Sequence, residues 1–468
     1  MRKILLLIFA LSILLASSQS SSETIALSLS DAIYLGLRDN RSIRSAYLDR
    51  LAQKFDLRVA EDRFTPKLML SGRALSTRDQ DDRAREDSLT PASTLLTPYG
   101  TRVSLGWTYQ HTNANRAGLS GNDGASLTVI QPLLRGAGKN IATAPVRLAR
   151  LTEQINRLNL KSTVSQTITQ IITAYHDLLL AQAQATIAQD SLGRARQLIE
   201  VNQAMIAAGR LAEFEIVQTE AEVASQELAY EEAHNRVDTA RLALLQLLAL
   251  DLHSPVVATE ALQAQPLKIE SEQALQQAES SEPGWLAQRI VAEQAAINLA
   301  VASNGRLWDV SLVGGATQRR DRAAGGESTR TWNNYVGIQV DIPVGELNSR
   351  QAELQAEVNV KNQQIQLAEA RQQLERNVSN AVRDISTRWR QYEIAQRVNN
   401  LSRRKLEIER EKFNAGRSSN FQVLSYENDL RNAENARLNA LISYLNAQAE
   451  LDRTLGTTLQ SWDIVLDD

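Results

Sequence analysis

The sequence predicts a mainly α-helical chain with a small β part, in which one long helical hairpin is written twice. Three observations predict it. Composition leans on Ala, Leu, Gln, Glu, Asn and Arg with only 5% aromatic residues, the mixture of long helices packed through small side chains. The nine prolines all fall outside residues 146–254 and 344–468, leaving two long zones that can be helical. Nearly the same ten residues also occur twice, AAGRLAEFEI from Ala207 and NAGRSSNFQV from Asn414, 207 positions apart and once in each zone.

Taken in chain order, residues 1–20 (MRKILLLIFALSILLASSQS) have a basic start at Arg2 and Lys3, an apolar run from Ile4 to Ala16 and then small polar residues. That run is too short to cross a bilayer core of about 30 Å as a helix and suits a secretory signal peptide. Cleavage near Ser18 to Ser20 would remove both N-terminal cations and move the formal charge of −3 to −5. The chain has no cysteine, which excludes disulfides and a cysteine-linked lipid anchor.

Residues 21–251 read as a first structural repeat: a helix near 31–64, strands within 66–132, and a helical hairpin over 146–250 with its tip at Gly209. Three strand candidates stand out, 66–75, 101–111 and 125–132. In the second, Val103, Leu105, Trp107 and Tyr109 alternate with Arg102, Ser104, Gly106 and Thr108. An odd number cannot leave and return to one side, so either Leu89–Thr97 supplies a further strand or one candidate is no span.

Residues 252–284 form a connecting segment. Residues 285–456 then repeat the plan, with a helix, strands 308–317 and 333–342 within 308–342, and a hairpin over 347–455 with its tip at Gly416; a tail covers 457–468. Apolar residues Leu374, Val378, Ala381, Ile385, Trp389 and Tyr392 step by three and four, the stripe of helices packed side by side. Residues 347–414 would make a rod of roughly 100 Å and residues 420–455 one of about 55 Å.

A half-buried sheet in a soluble protein would give the same strand alternation. Export, the gathering of Trp107, Tyr109, Trp308, Trp332 and Tyr335 on the strands of an aromatic-poor chain, and polar Gly-rich connections favour an outer-membrane barrel with those aromatics at the membrane interface. Such a barrel needs about eight strands or more. About four transmembrane strands per chain must therefore close by oligomerising, three copies giving a 12-stranded barrel.

A net charge of −3 without a dense basic run argues against nucleic acid as a partner. RGAGK at Arg135–Lys139 lacks the spacing of a phosphate loop, and His111, His176, His234 and His253 share no ligand spacing. No catalytic, metal or cofactor site is expected, and the chain does not read as an enzyme.

The signal peptide, duplicated halves, strand pairs and long arms turning at Ala-Gly-Arg followed by Phe resemble the TolC family of outer-membrane channel proteins. QPLLRGAGKN at Gln131–Asn140 and DIPVGELNSR at Asp341–Arg350 look like that family's two strand-to-helix junctions. The resemblance implies a homotrimer whose barrel, set in outer-membrane lipid, is continued by a periplasmic α-barrel tunnel. It implies an exit duct of a tripartite efflux or type I secretion system, served by a periplasmic adaptor (membrane fusion) protein and an inner-membrane transporter.

In that geometry Gly209, Arg210, Glu213, Phe214, Glu215, Gly416, Arg417, Asn420 and Phe421 form the hairpin tips that contact the adaptor or act as a gate. Residues 252–284 and 457–468 would be the equatorial belt. Arg210 and Arg417 sit one position before the family's closing arginine, where this chain has Leu211 and Ser418. The acidic pore lining is matched by Glu215 but meets Gln422 in the second half. The alternative is a periplasmic coiled-coil adaptor or structural protein, which usually carries one hairpin rather than two.

Overall fold

The computed structural model describes residues 25–80 and 82–466, so the expected signal peptide over 1–20 lies outside the described residues. The chain divides into two compact units. One takes residues up to 46, 161–282 and 374–468; the other takes 47–160 and 283–373.

The β-rich unit holds one antiparallel sheet of six strands. With β1 reserved for Ile25–Leu27 elsewhere, these are β2 (Lys67–Arg78), β3 (Arg83–Leu96), β4 (Arg102–Ala114) and β5 (Gly118–Pro132) from the first repeat. After β6 (Val256–Ala258) in the other unit come β7 (Asp309–Arg322) and β8 (Ser328–Asp341) from the second repeat. Their order is β2-β3-β4-β5-β7-β8, each strand beside its predecessor in the sheet. The expectation of about four strands is therefore corrected to six. The odd count over 66–132 is resolved by the stretch around Leu89–Thr97, which belongs to β3 and makes four strands there.

Turns tie the two rims of this sheet. On one rim Asp82 accepts the backbone N–H groups of Arg116 at 2.9 Å and Ala117 at 3.1 Å, joining the β2–β3 turn to the β4–β5 turn. On the other, the N–H of Gly138 donates to the Tyr99 carbonyl and Arg135 pairs with Asp309 at 3.3 Å.

Helices pack beside the sheet's chain ends within the same unit. Ala144, Leu148 and Leu151, at the start of the helix Ala144–Ala207, cluster with Ile290 and Ile297 of the helix Pro283–Gly305. Arg50 pairs with Glu153, and both are buried, so each charge is compensated where water is excluded.

The helical unit contains residues 161–282 and 374–468, and with them both hairpin tips. In chain order the helices are α1 (Leu29–Asp39), α2 (Arg41–Glu61), α3 (Lys139–Ala142), α4 (Ala144–Ala207), α5 (Glu215–Leu248), α6 (Ser271–Ser281), α7 (Pro283–Gly305), α8 (Asn348–Asn414), α9 (Asn420–Leu455) and α10 (Thr458–Ser461). The helix expected near 31–64 is split at Asn40. Its side chain accepts from the N–H groups of Ser42 and Ile43, capping α2, while its own N–H closes α1 onto Gly36.

Residues 252–284 are held against the hairpins by two buried tyrosines. Tyr175 on α4 donates to the Leu27 carbonyl at 2.8 Å in β1, which pairs in parallel with β6. Tyr444 on α9 donates to the Gln265 carbonyl at 2.7 Å and accepts from the Leu267 N–H. The Tyr175 hydroxyl also accepts from the Glu260 N–H, so each tyrosine satisfies a backbone group of the irregular stretch that follows the short β1–β6 ladder.

Candidate functional site

The two hairpin tips share one turn. At the first, the N–H of Gly209 donates to Ile206 and that of Arg210 to Met205; at the second, Gly416 donates to Phe413 and Arg417 to Lys412. These paired bonds close a helix end by a Schellman arrangement, which requires the left-handed backbone at its centre. Gly209 has φ +69° and Gly416 φ +70°, a conformation that glycine adopts without the cost a side chain would add.

Beyond the glycine the turns diverge. Ser419 is the N-cap of α9, its hydroxyl accepting from the Gln422 N–H, and Ser418 donates to the Glu409 carboxylate. The Ser418 hydroxyl, with Lys412 adding its charge, holds the Glu409 carboxyl below the usual carboxylate range. In the first turn the same positions are Leu211 and Ala212, and α5 begins with no side-chain cap.

Of the predicted tip residues, Arg210, Glu213, Phe214, Arg417 and Phe421 are exposed and Glu215 is half-buried. The two phenylalanines present 76% and 64% of their surface to solvent. Asn420 does not belong with them, because it is fully buried and cannot meet a partner protein.

Asn420 instead joins Asn202 and Thr219, all three at zero exposure. Asn202 donates to Thr219 Oγ1 at 2.7 Å and to Asn420 Oδ1 at 3.0 Å, and Asn420 donates to Thr219 Oγ1 at 3.0 Å. The cluster links α4 and α5 of the first hairpin to α9 of the second. One acceptor, Asn202 Oδ1, has no hydrogen-bond partner.

A charged tie runs parallel to it. Glu427 of α9 accepts from Arg194 of α4 at 2.9 Å and from Arg410 of α8, with Arg194 also bonded to Ser191. The Glu427 side chain keeps only 13% of its surface, so this pair is shielded more than a surface ion pair. Around it Leu406, Phe413, Val423 and Leu430 form a core against Leu198 and Met205.

Sequence reasoning did not single out Asn202, Thr219, Arg194 or Arg410. The signal for Asn202 was present: Leu198, Asn202 and Met205 step by four and three, which places a polar side chain in an apolar stripe.

The second candidate region is the sheet. Cross-strand register puts Leu68, Ser93, Leu105, Leu127, Ala316 and Asn334 in one row, and Met69, Ala92, Gly106, Ser126, Thr317 and Asn333 in the adjacent row on the opposite face. One face is thus largely apolar across all six strands and the other small and polar. Trp107, Tyr109 and Trp332 lie on the apolar face, exposed at 53%, 43% and 76%, and Trp308 just precedes β7. Tyr335 departs from the expected interface group: it sits opposite Gly315 on the polar face, its ring where a side chain at Gly315 would be.

Among the described residues, no helix is long and apolar enough to cross a membrane, and no group of His, Asp and Glu could hold a metal ion. Residues 274–457 match the family model described as Outer membrane efflux protein. No curated protein matches the sequence.

Among solved structures, the fold of this chain is similar to that of the outer membrane channel MtrE of Neisseria gonorrhoeae in its open state. That match has 18% identity and a TM-score of 0.70, covering 95% of this chain and 94% of that one. It is similar also to the outer membrane channel CmeC of Campylobacter jejuni, with 16% identity, a TM-score of 0.68, and 92% and 86% covered. The outer membrane protein VceC of Vibrio cholerae matches at 15% identity with a TM-score of 0.68, covering 92% and 96%.

Proposed function

We propose that the chain is the outer-membrane exit duct of a tripartite efflux or type I secretion system, conducting cargo from an inner-membrane transporter and periplasmic adaptor to the outside. The single observation that carries this reading is the sheet with one apolar and one polar face through every strand, joined in one chain to two helical hairpins. Lipid accepts the first face and water the second. The protein resides in the outer membrane with its helical part in the periplasm, and the duct performs no bond chemistry.

Three copies form the channel, and each brings two tips. Phe214 and Phe421, with Gly209, Arg210, Glu213, Glu215, Gly416 and Arg417 around them, are the surface offered to the adaptor. Asn420, with Asn202 and Thr219, and the Arg194–Glu427–Arg410 tie hold the two hairpins of one chain together. A gate built this way opens when adaptor binding at the exposed phenylalanines offsets the loss of those buried polar contacts.

Expressed with its own adaptor and transporter, the protein should fractionate with the outer membrane as a heat-modifiable trimer and restore export to a strain lacking its exit duct. A monomer found wholly in the soluble periplasm would overturn the proposal.

A further inference from the structure

The sheet is open, and its two edges are long. β2 has 12 residues and β8 has 14, and each pairs on one side only. Every residue of β8 is exposed, as is all of β2 except Leu75. Long exposed edges invite pairing with another chain unless they are blocked, and neither strand carries proline.

The two edges are complementary. In an antiparallel sheet of six strands the first and last run in opposite directions, so β8 of one copy can pair with β2 of the next in the same antiparallel sense. The faces also agree in phase. Leu68 and Leu70 of β2 fall on the apolar face, and so do Val336, Ile338 and Val340 of β8. Such a junction would therefore continue the apolar face without a break.

We propose that the barrel closes by pairing β8 of each copy with β2 of its neighbour, so that three copies build an 18-stranded wall rather than the 12-stranded one expected from the sequence. This rests on the trimeric duct reading above. With strands about 4.8 Å apart and tilted near 40°, 18 strands give a wall radius of about 18 Å against about 12 Å for twelve. Barrels of that strand number leave an aqueous channel, so the outer mouth is broad enough for bulky solutes or an extended polypeptide.

The rival closure has a definite place to begin. The ladder between β3 and β4 omits Thr90 and Pro91, where proline has no N–H to donate. Were the sheet to part there, the β2–β3 hairpin would leave the wall. β4 would then become the edge that meets β8 of the next copy, restoring twelve strands. Against this, Asp82 fastens the β2–β3 turn to the β4–β5 turn through three bonds to Arg116 and Ala117.

The absence of native cysteine makes the two closures separable. In one set of variants Leu68→Cys or Leu70→Cys is combined with Val336→Cys or Ile338→Cys; in the other, Leu105→Cys or Tyr109→Cys is combined with the same β8 changes. Each is treated in outer-membrane vesicles with a short bis-maleimide and run denatured. Covalent dimers and trimers from the first set alone are expected. Cross-links from the second set, or trimers that cross-link in neither, overturn the 18-stranded closure while leaving the duct reading intact. Absence of any trimer in the membrane overturns the reading on which both rest.

Discussion

The two hairpin tips begin alike and end differently. Gly209 and Gly416 close their helices with the same pair of backbone bonds, yet only the second turn goes on to Ser418 bonded to Glu409 and Ser419 capping α9. Asn420 then inserts into the buried cluster, whereas its counterpart Glu213 stays exposed. Duplication preserved what the backbone needs and let the side chains specialise. The second turn thus carries side-chain ties that the first turn lacks.

The largest expected effect comes from the shared element. Replacing either glycine with valine forces a β-branched residue into the left-handed region, costing about 1–2 kcal/mol or more per site. Both Gly416→Val and Gly209→Val should impair cargo export while barrel and trimer persist. Gly416→Val should do more, because it also displaces Ser418, Ser419 and Asn420. Equal export defects in a cell-based efflux assay would erase the distinction between the tips.

Asn420→Ala comes next. It removes one side of the buried cluster and leaves Asn202 and Thr219 short of partners, at about 1–3 kcal/mol. Hydrogen exchange should show the ends of α4, α5 and α9 opening together, while Glu213→Ala in the first turn changes protection little. A Glu213 variant that loosened the tips as much would contradict that difference.

Smaller still is the exchange of caps. Ser419→Ala should cost about 1 kcal/mol, and Ala212→Ser should return a similar amount to the uncapped first turn. If the absent cap of the first turn matters, Ala212→Ser will slow export even as thermal unfolding of the helical unit rises. Unchanged export would mean that the missing cap has no part in gating.

The smallest effect is on pH. Glu409 has its carboxyl lowered in the folded state, so its stabilising contribution is present above the ordinary carboxylate range and is lost as pH falls through the folded value. Protection of amides at the second tip should fall toward that of the first only in strongly acidic solution, and Glu409→Gln should remove the dependence. A second tip protected equally in the variant and in the unaltered protein at every pH would show that Ser418 and Lys412 do not depend on this charge.

Much of this was legible in the sequence. Turn glycines and long helical arms are local or periodic features, and proline placement alone bounded the helical zones. The strand number was not legible. Residues 73–87, RALSTRDQDDRARED, carry charges on both parities, so β2 and the start of β3 show no alternation there; they are strands because the hydrogen-bonded ladder pairs them residue by residue. Nor was the fate of Asn420 readable, since its burial depends on Asn202, which lies 218 residues away and is brought near only by packing. Tyr335 went astray for a related reason: its face follows from register against Gly315, not from its being aromatic.

The uneven contribution of the two repeats, four strands from one and two from the other, says something about how such a wall can change size. Each repeat leaves its helices, crosses the sheet an even number of times and comes back to the same rim. Adding or losing a single strand would send every following helix to the opposite rim of the sheet, so the hairpin is the unit of growth. In a threefold assembly one hairpin gained in one gene widens the pore by six strands at once. Between the narrow and the broad duct there is, for this architecture, no intermediate bore for natural selection to try.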